Sequence, residues 1–106
     1  MKRSLIRYRT KPEKTEENER LIKGVFEELH AASPEGVHYL VLKLGDGNFV
    51  HFVTVEADVN PITGLAAFKT FQNGVRDRAI EPPQSGEVTI VGNYRMLAGH
   101  ESLASA

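Results

Sequence analysis

Apolar and polar positions alternate first in LIRYR, residues 5–9, as they do in a β-strand. Leu5, Arg7 and Arg9 fall on one side of this strand, and Ile6 and Tyr8 fall on the other. The alternation ends at the next residue, where helical spacing begins. The sequence therefore opens with a short strand followed by a helix.

The predicted first helix starts with a capping-box pattern, Thr10 three residues before Glu13, and Pro12 suits its first turn. Before Leu21 the helix is polar all round, so its first half is expected to project into solvent. The helix should end near Ser33, because a proline and a glycine follow. Its apolar stripe comprises Leu21, Ile22, Val25, Phe26 and Leu29.

Two apolar stretches, 37–44 and 49–56, predict strands joined by a hairpin with Asp46-Gly47 at its centre. A two-residue loop at Asp46-Gly47 fixes the register of the hairpin. The expected pairs are Leu44 with Phe49, Leu42 with His51, Leu40 with Val53, and His38 with Val55.

Asn60 followed by Pro61 predicts the start of a second helix. Its buried stripe should contain Leu65, Phe68, Val75 and Ala79, with Phe71 and Gln72 at the margin. Gly74 should weaken this helix by about 1 kcal/mol relative to alanine, and VRDR, residues 75–78, is expected to form a solvated face with ion pairs. The alternation at 87–97 predicts a fourth strand.

The predicted order is β-α-β-β-α-β, which is the ferredoxin-like α+β plan of a four-stranded antiparallel sheet with both helices on one face. We expect one domain over residues 1–97 and a loose C-terminal tail over 98–106. Both surfaces of the predicted hairpin are mostly apolar, whereas the helices can cover only one. A second copy of the sheet is the simplest cover for the other face, so we expect a homodimer.

The amino-acid composition argues against several classes of function. A net charge of −1 lacks the basic footprint of nucleic-acid binding. The absence of cysteine excludes disulfides, thiolate nucleophiles and cysteine-bound metals. No histidine–carboxylate spacing is typical of a metal site, so no cofactor is expected.

No apolar run is long enough to span a bilayer, and no secretory signal is present. Neither a membrane partner nor export is therefore expected, and the cytoplasm is the default location.

Several features together resemble the antibiotic-biosynthesis-monooxygenase-like proteins of the dimeric α+β barrel superfamily. They are the strand–KP–long-helix opening LIRYRTKPEK, Gly36 before the second strand, the hairpin, the VEA exit of the third strand and NPITGLAAFKTF in the second helix. The resemblance implies two sheets paired into a barrel and a small-molecule cavity. The chemistry it implies includes oxygenation of aromatic polycycles and quinols without a metal, haem degradation and small-molecule isomerisation. Relatives often carry a tryptophan and a histidine at positions that match Val55 and Phe68 here, so the usual catalytic residues are absent.

The candidate cavity-lining residues are His51, His38, Tyr8, Phe49 and Val55. A neutral imidazole in an apolar pocket can hold a substrate hydroxyl or accept a proton near neutral pH, and a tyrosine hydroxyl can donate a hydrogen bond to a ligand. The competing interpretation is that His51 is a hydrogen-bonded polar group inside the core or at the dimer interface, as lone polar residues in strands usually are. The resemblance implies a small-molecule enzyme similar to cofactor-independent monooxygenases acting on aromatic or quinol-type substrates. The alternative is a non-catalytic dimeric protein that binds a small hydrophobic ligand.

Overall fold

The computed structural model describes residues 2–96 apart from 57 and 59. The element order β-α-β-β-α-β is confirmed. The predicted tail at 98–106 lies outside the described residues. The strands and helices are β1 Lys2–Arg9, α1 Thr15–Ala32, β2 Val37–Leu44, β3 Asn48–Val55, α2 Ala66–Arg78 and β4 Gln84–Glu87, with short 3-10 turns at Pro12–Lys14 and Pro61–Gly64.

The four strands form one antiparallel sheet in the order β2-β3-β1-β4. Both helices pack against the same face of this sheet, as predicted. The hydrophobic core lies between the sheet and the helices and contains Tyr8, Ile22, Val25, Phe49, Phe71 and Ala79.

The hairpin register differs from the prediction by one residue, so the predicted pairs are wrong. The loop has three residues, Gly45 to Gly47, and the last pair is Leu44 with Asn48. Gly47 has φ of +86° and its N–H bonds the Leu44 carbonyl, which fits a three-residue turn that needs a glycine in the left-handed region. Because side chains alternate along a strand, the slip moves β2 to the other face relative to β3.

The face that the helices leave open is apolar. His38, Leu40 and Leu42 lie there, paired with Thr54, Phe52 and Val50. The side chains of Leu40, Leu42 and Leu44 are 45%, 56% and 61% exposed. An apolar surface therefore lies on both sides of the sheet, as expected, but the sets of residues on the two faces differ from the predicted ones because of the register shift.

The start of α1 also differs from the prediction. Thr10 does not cap the helix, because its hydroxyl lies 2.8 Å from the Thr15 hydroxyl and 3.3 Å from the Gly47 carbonyl. Thr10 thus ties the hairpin loop to the β1–α1 connection, and the turn at Pro12–Lys14 leads into α1. The first half of the helix is not fully solvated, since Asn18 is 0% exposed. The helix ends as predicted, with Ser33 in the left-handed region and its N–H bonded to the Leu29 carbonyl.

Two side chains bond the backbone near the start of α2, one in the preceding turn and one at the helix itself. Asn60 accepts a hydrogen bond from the Ile62 N–H at 2.9 Å and so caps the 3-10 turn Pro61–Gly64. The prediction that the second helix starts at Asn60 is wrong, because α2 begins at Ala66. Glu28 of α1 accepts from the N–H groups of Ala66 and Ala67 at 2.8 and 3.0 Å. A carboxylate is favourable at a helix N-terminus because the exposed N–H groups carry positive partial charge. These contacts fix α2 against α1.

The prediction that 75–78 is a solvated face is wrong for Arg78, which is 4% exposed. Its guanidinium lies above the Phe71 ring, 5.1 Å from the centroid, and its Nη2 donates to the Phe71 carbonyl at 2.7 Å. Gly74 makes room for it, since a Cβ at this position would lie 2.6 Å from Arg78 Nη1. The helix-weakening glycine is thus explained by the buried arginine.

The fourth strand is Gln84–Glu87, so the prediction of a strand over 87–97 is wrong. Gln84 pairs with Arg7 and Glu87 pairs with Ser4. Beyond this, Val88 N–H bonds the Arg3 carbonyl. The regular ladder ends at the pair of Ser4 and Glu87. The apolar alternation after this point belongs to exposed chain, with Val91 93% exposed.

Candidate active site

His51 lies at the centre of β3 on the helix-facing side of the sheet and is 3% exposed. Both ring nitrogens are hydrogen-bonded to tyrosine hydroxyls: Nε2 lies 2.9 Å from Tyr8 Oη, and Nδ1 lies 2.6 Å from Tyr39 Oη. Tyr8 comes from β1 and Tyr39 from β2, the two strands that flank β3. The sheet itself therefore holds the imidazole between two phenols.

The polar contacts continue from Tyr8 into the helices. Asn18 Nδ2 donates to Tyr8 Oη at 2.9 Å, and Arg78 Nε donates to Asn18 Oδ1 at 2.9 Å. We call the connected side chains Arg78, Asn18, Tyr8, His51 and Tyr39 the polar chain. It crosses the core from α2 to β2, and each link is a hydrogen bond, as buried polar groups require.

A pocket of ≈ 340 Å³ opens between α2 and the sheet, beside the polar chain. This volume lies at the small end of the usual range for ligand pockets. The strands line the pocket with three polar side chains, Tyr8, Tyr39 and His51, and with the apolar Ile6. Helix α2 lines it with Phe68, Phe71, Gln72, Val75 and Arg76. The Phe71 and His51 ring centroids are 5.5 Å apart. The pocket thus combines aromatic surface with a few polar groups, an arrangement suited to a flat ring with an oxygen substituent.

Burial sets the protonation state of His51. Desolvation lowers the pKa of its imidazole from 6.5 to about 4, because the charged form loses its hydration inside the core. The ring is therefore neutral at physiological pH, with one nitrogen donating and the other accepting.

The two phenols are neutral as well. Burial raises the pKa of Tyr8 to about 12, although the hydrogen bond from Asn18 and the positive charge of Arg78 act in the opposite direction. Burial, and to a smaller extent Tyr8, raises the pKa of Tyr39. With a weakly basic imidazole and two weakly acidic phenols, this arrangement is better suited to hydrogen-bonding a ligand than to removing its proton by His51 alone.

The structure brings two of the five candidate residues, Tyr8 and His51, to the wall of this pocket. Phe49 lies beneath Tyr8, with the rings stacked at 5.6 Å, and is not part of the wall. Val55 is buried on the same face but does not line the pocket. His38 is exposed on the opposite face of the sheet, so the expectation that it shares a face with His51 is wrong.

Sequence reasoning missed three members of the polar chain: Tyr39, Asn18 and Arg78. The incorrect hairpin register places Tyr39 on the opposite face from His51. Asn18 lies four residues before Ile22 and seven before Val25, so its position in the apolar stripe could have shown that it is buried. Arg78 likewise follows Phe71 by seven residues.

Two kinds of feature are absent from the part of the chain that the structure describes. Within residues 2–96, leaving out 57 and 59, no group of three or more histidines or carboxylates is arranged to hold a metal ion. Over the same part of the chain, no helix has the length and apolar character needed to cross a membrane.

No known family model matches this sequence, and no curated protein matches it. Similarity appears when solved structures are compared. The Nitrosomonas europaea protein named "Putative antibiotic biosynthesis monooxygenase" superimposes with a TM-score of 0.70 at 19% identity, covering 89% of this chain and 100% of the other.

Two more structures support the same conclusion. A structure named as an antibiotic biosynthesis monooxygenase gives a TM-score of 0.69 at 13% identity, with 84% of this chain and 97% of the other covered. A conserved protein from Methanosarcina mazei Go1 gives 0.67 at 18% identity, with 81% and 88% covered. At such identities the likeness concerns the fold. The chain therefore has the ferredoxin-like fold of the antibiotic-biosynthesis-monooxygenase-like proteins, as the sequence resemblance implied.

Proposed function

We propose that this protein is a small-molecule enzyme similar to cofactor-independent monooxygenases, acting on aromatic or quinol-type substrates. The observation that carries the proposal is the Tyr39 hydroxyl on the wall of an aromatic pocket, backed by His51 at 2.6 Å. The fold shared with proteins named as antibiotic biosynthesis monooxygenases supports it.

The proposed reaction uses O2 as the oxidant. A phenol and O2 give a quinone and water: one oxygen atom enters the ring, and the other leaves as water with the two hydrogens that the phenol loses. The ionised phenol is the form that reacts with O2, so a group that stabilises its oxygen favours the reaction. The Tyr39 hydroxyl on the pocket wall can supply that hydrogen bond.

The experiment is a turnover assay with a panel of polycyclic phenols and quinols, with products followed by mass spectrometry under labelled O2. Tyr39→Phe is expected to lower kcat/KM by about 100-fold, the usual effect of removing one donor to a developing oxyanion. Tyr94→Phe is the matched control, because Tyr94 is 77% exposed and lies outside the polar chain. Equal activity of Tyr39→Phe and wild type would contradict the assigned role.

A non-catalytic protein that binds a small hydrophobic ligand is the second candidate. The low pKa of His51, about 4, favours it, because such an imidazole is a poor base at neutral pH. Under this alternative the same phenols bind, but no labelled oxygen appears in any product.

We also propose that two copies pair through the open face of the sheet, as the exposed leucines favour burial against a second apolar surface. Sedimentation equilibrium is expected to give twice the chain mass for the wild type and a monomer for Leu42→Lys. Ile80→Lys is the control, since Ile80 is 51% exposed but follows α2 rather than lying on the sheet. A monomeric wild type would overturn the proposal.

A further inference from the structure

The direction of the hydrogen bonds along the polar chain is set at Arg78. A guanidinium can only donate, so Asn18 Oδ1, which lies 2.9 Å from Arg78 Nε, must accept. The other end of the amide is then Nδ2, which can only donate, and it donates to Tyr8 Oη. The arginine thereby fixes the orientation of the Asn18 amide, which geometry alone would leave open.

The hydrogen bonds between Tyr8 and the pocket also have fixed directions. Tyr8 Oη accepts from Asn18, and its own proton has one acceptor among the described residues, His51 Nε2. The neutral imidazole then carries its proton on Nδ1 and donates it to Tyr39 Oη. The Tyr39 proton is left without an acceptor within the described part of the chain. It is available to a bound molecule that presents an acceptor atom to the Tyr39 hydroxyl.

The charge beside the pocket points to the same class of ligand. Arg76 of α2 lines the wall, and no aspartate or glutamate is among the lining residues that the structure describes. Phe68 and Phe71 provide the apolar surface for a flat ring. An acceptor atom next to a cation is bound more tightly when it is itself negatively charged.

We infer that this pocket takes planar aromatic molecules through a negatively charged oxygen, phenolate or carboxylate, that accepts a hydrogen bond from the Tyr39 hydroxyl and pairs with Arg76. The inference rests on the proposed function for the choice of this pocket as the ligand site. It adds the ionisation state of the ligand and the residues that select it.

The test is calorimetric titration of the purified protein near neutral pH with three naphthalene probes of similar size. They are 2-naphthoate, its neutral methyl ester, and 2-naphthylmethylammonium, which can donate hydrogen bonds but not accept them. We expect 2-naphthoate to bind about 10-fold more tightly than the ester, the usual effect of a charge-assisted hydrogen bond. The ammonium compound should bind most weakly of the three.

Three variants assign the selectivity to residues. Tyr39→Phe should weaken 2-naphthoate binding about 10-fold. Arg76→Gln should weaken it about 3-fold, because Arg76 is exposed and its ion pair is screened. Lys69→Gln removes an exposed charge from the same helix and should leave the affinity unchanged. Thermal melting checks that each variant is folded. The comparison of the three probes on the wild-type protein tests the inference even if a variant does not fold.

Equal or tighter binding of the ester or the ammonium compound would overturn the inference, and so would the absence of binding by all three probes. The inference about ligand charge and the proposed enzyme function can fail independently, because one is tested by binding and the other by product formation. Selective 2-naphthoate binding without any oxygenated product supports the inference and counts against the enzyme. Oxygenation of phenols together with no preference for 2-naphthoate supports the enzyme and counts against the inference.

Discussion

Asn18→Leu is expected to lower the free energy of unfolding by about 3 kcal/mol, a large share of the stability of a small domain. The leucine removes the acceptor of Arg78 Nε and the donor to Tyr8 Oη together. Arg78 is 4% exposed, so its charge cannot turn to water without disrupting the core. A buried charge that loses a partner is among the most damaging outcomes of a single substitution.

Denaturant unfolding, monitored by circular dichroism, measures this effect. Asn73→Leu provides the matched control, because Asn73 is exposed on α2, and its stability should remain within about 0.5 kcal/mol of the wild type. The double variant Asn18→Leu/Arg78→Met replaces both partners by apolar groups and should be less destabilised than Asn18→Leu alone. A loss below about 1 kcal/mol in Asn18→Leu would mean that the polar chain does not hold the buried charge.

Acidification is expected to destabilise the protein through His51 by about 3 kcal/mol between pH 7 and pH 4. The pKa of His51 is about 4 in the folded protein against 6.5 for an ordinary histidine. Between these values the unfolded chain binds a proton that the folded chain excludes, so unfolding is favoured as the pH falls. The stabilising contribution is complete above pH 6.5 and is lost on descending towards pH 4.

His51→Gln should remove this part of the pH dependence, because glutamine does not titrate. Unfolding curves at several pH values isolate the contribution of His51 to the pH dependence of the free energy of unfolding. They are recorded for the wild type, His51→Gln and the exposed-site control His30→Gln. His30→Gln should leave the contribution of His51 to the slope in place. NMR titration of the His51 ring gives a direct check, and a midpoint near 6.5 would contradict the predicted burial effect.

Much of the fold could be predicted from the sequence, because the elements depend on local patterns. The stripe at Ile22 and Val25 and the stop at Ser33 are present in the structure, whereas Asn60 caps the turn before α2 and not the helix itself. The end of β4 could not be predicted in this way. Alternation after Glu87 satisfies the local pattern of a strand, but a strand also needs hydrogen-bonded pairing with a neighbour, and the pairing of β4 with β1 ends at Ser4 and Glu87.

The candidate site was harder to predict, because its geometry depends on one loop residue. Counting Gly45 in the hairpin loop shifts Tyr39 to the His51 side and His38 away from it. Both loop lengths are compatible with the sequence Gly-Asp-Gly-Asn. Gly47 lies in the left-handed region, and a Cβ at this position would lie only 3.0 Å from the Thr10 hydroxyl oxygen. This close packing against Thr10 is a tertiary contact, and it favours the longer loop.

The polar chain also bears on how the protein folds. Its five members come from α2, α1, β1, β3 and β2, so no pair of neighbouring elements can complete it. A partly assembled core would enclose Arg78 or His51 with unsatisfied hydrogen bonds, and each such state is raised in free energy. Intermediates are thereby depopulated. The network that shapes the pocket thus favours all-or-none unfolding of the helices and the three longer strands.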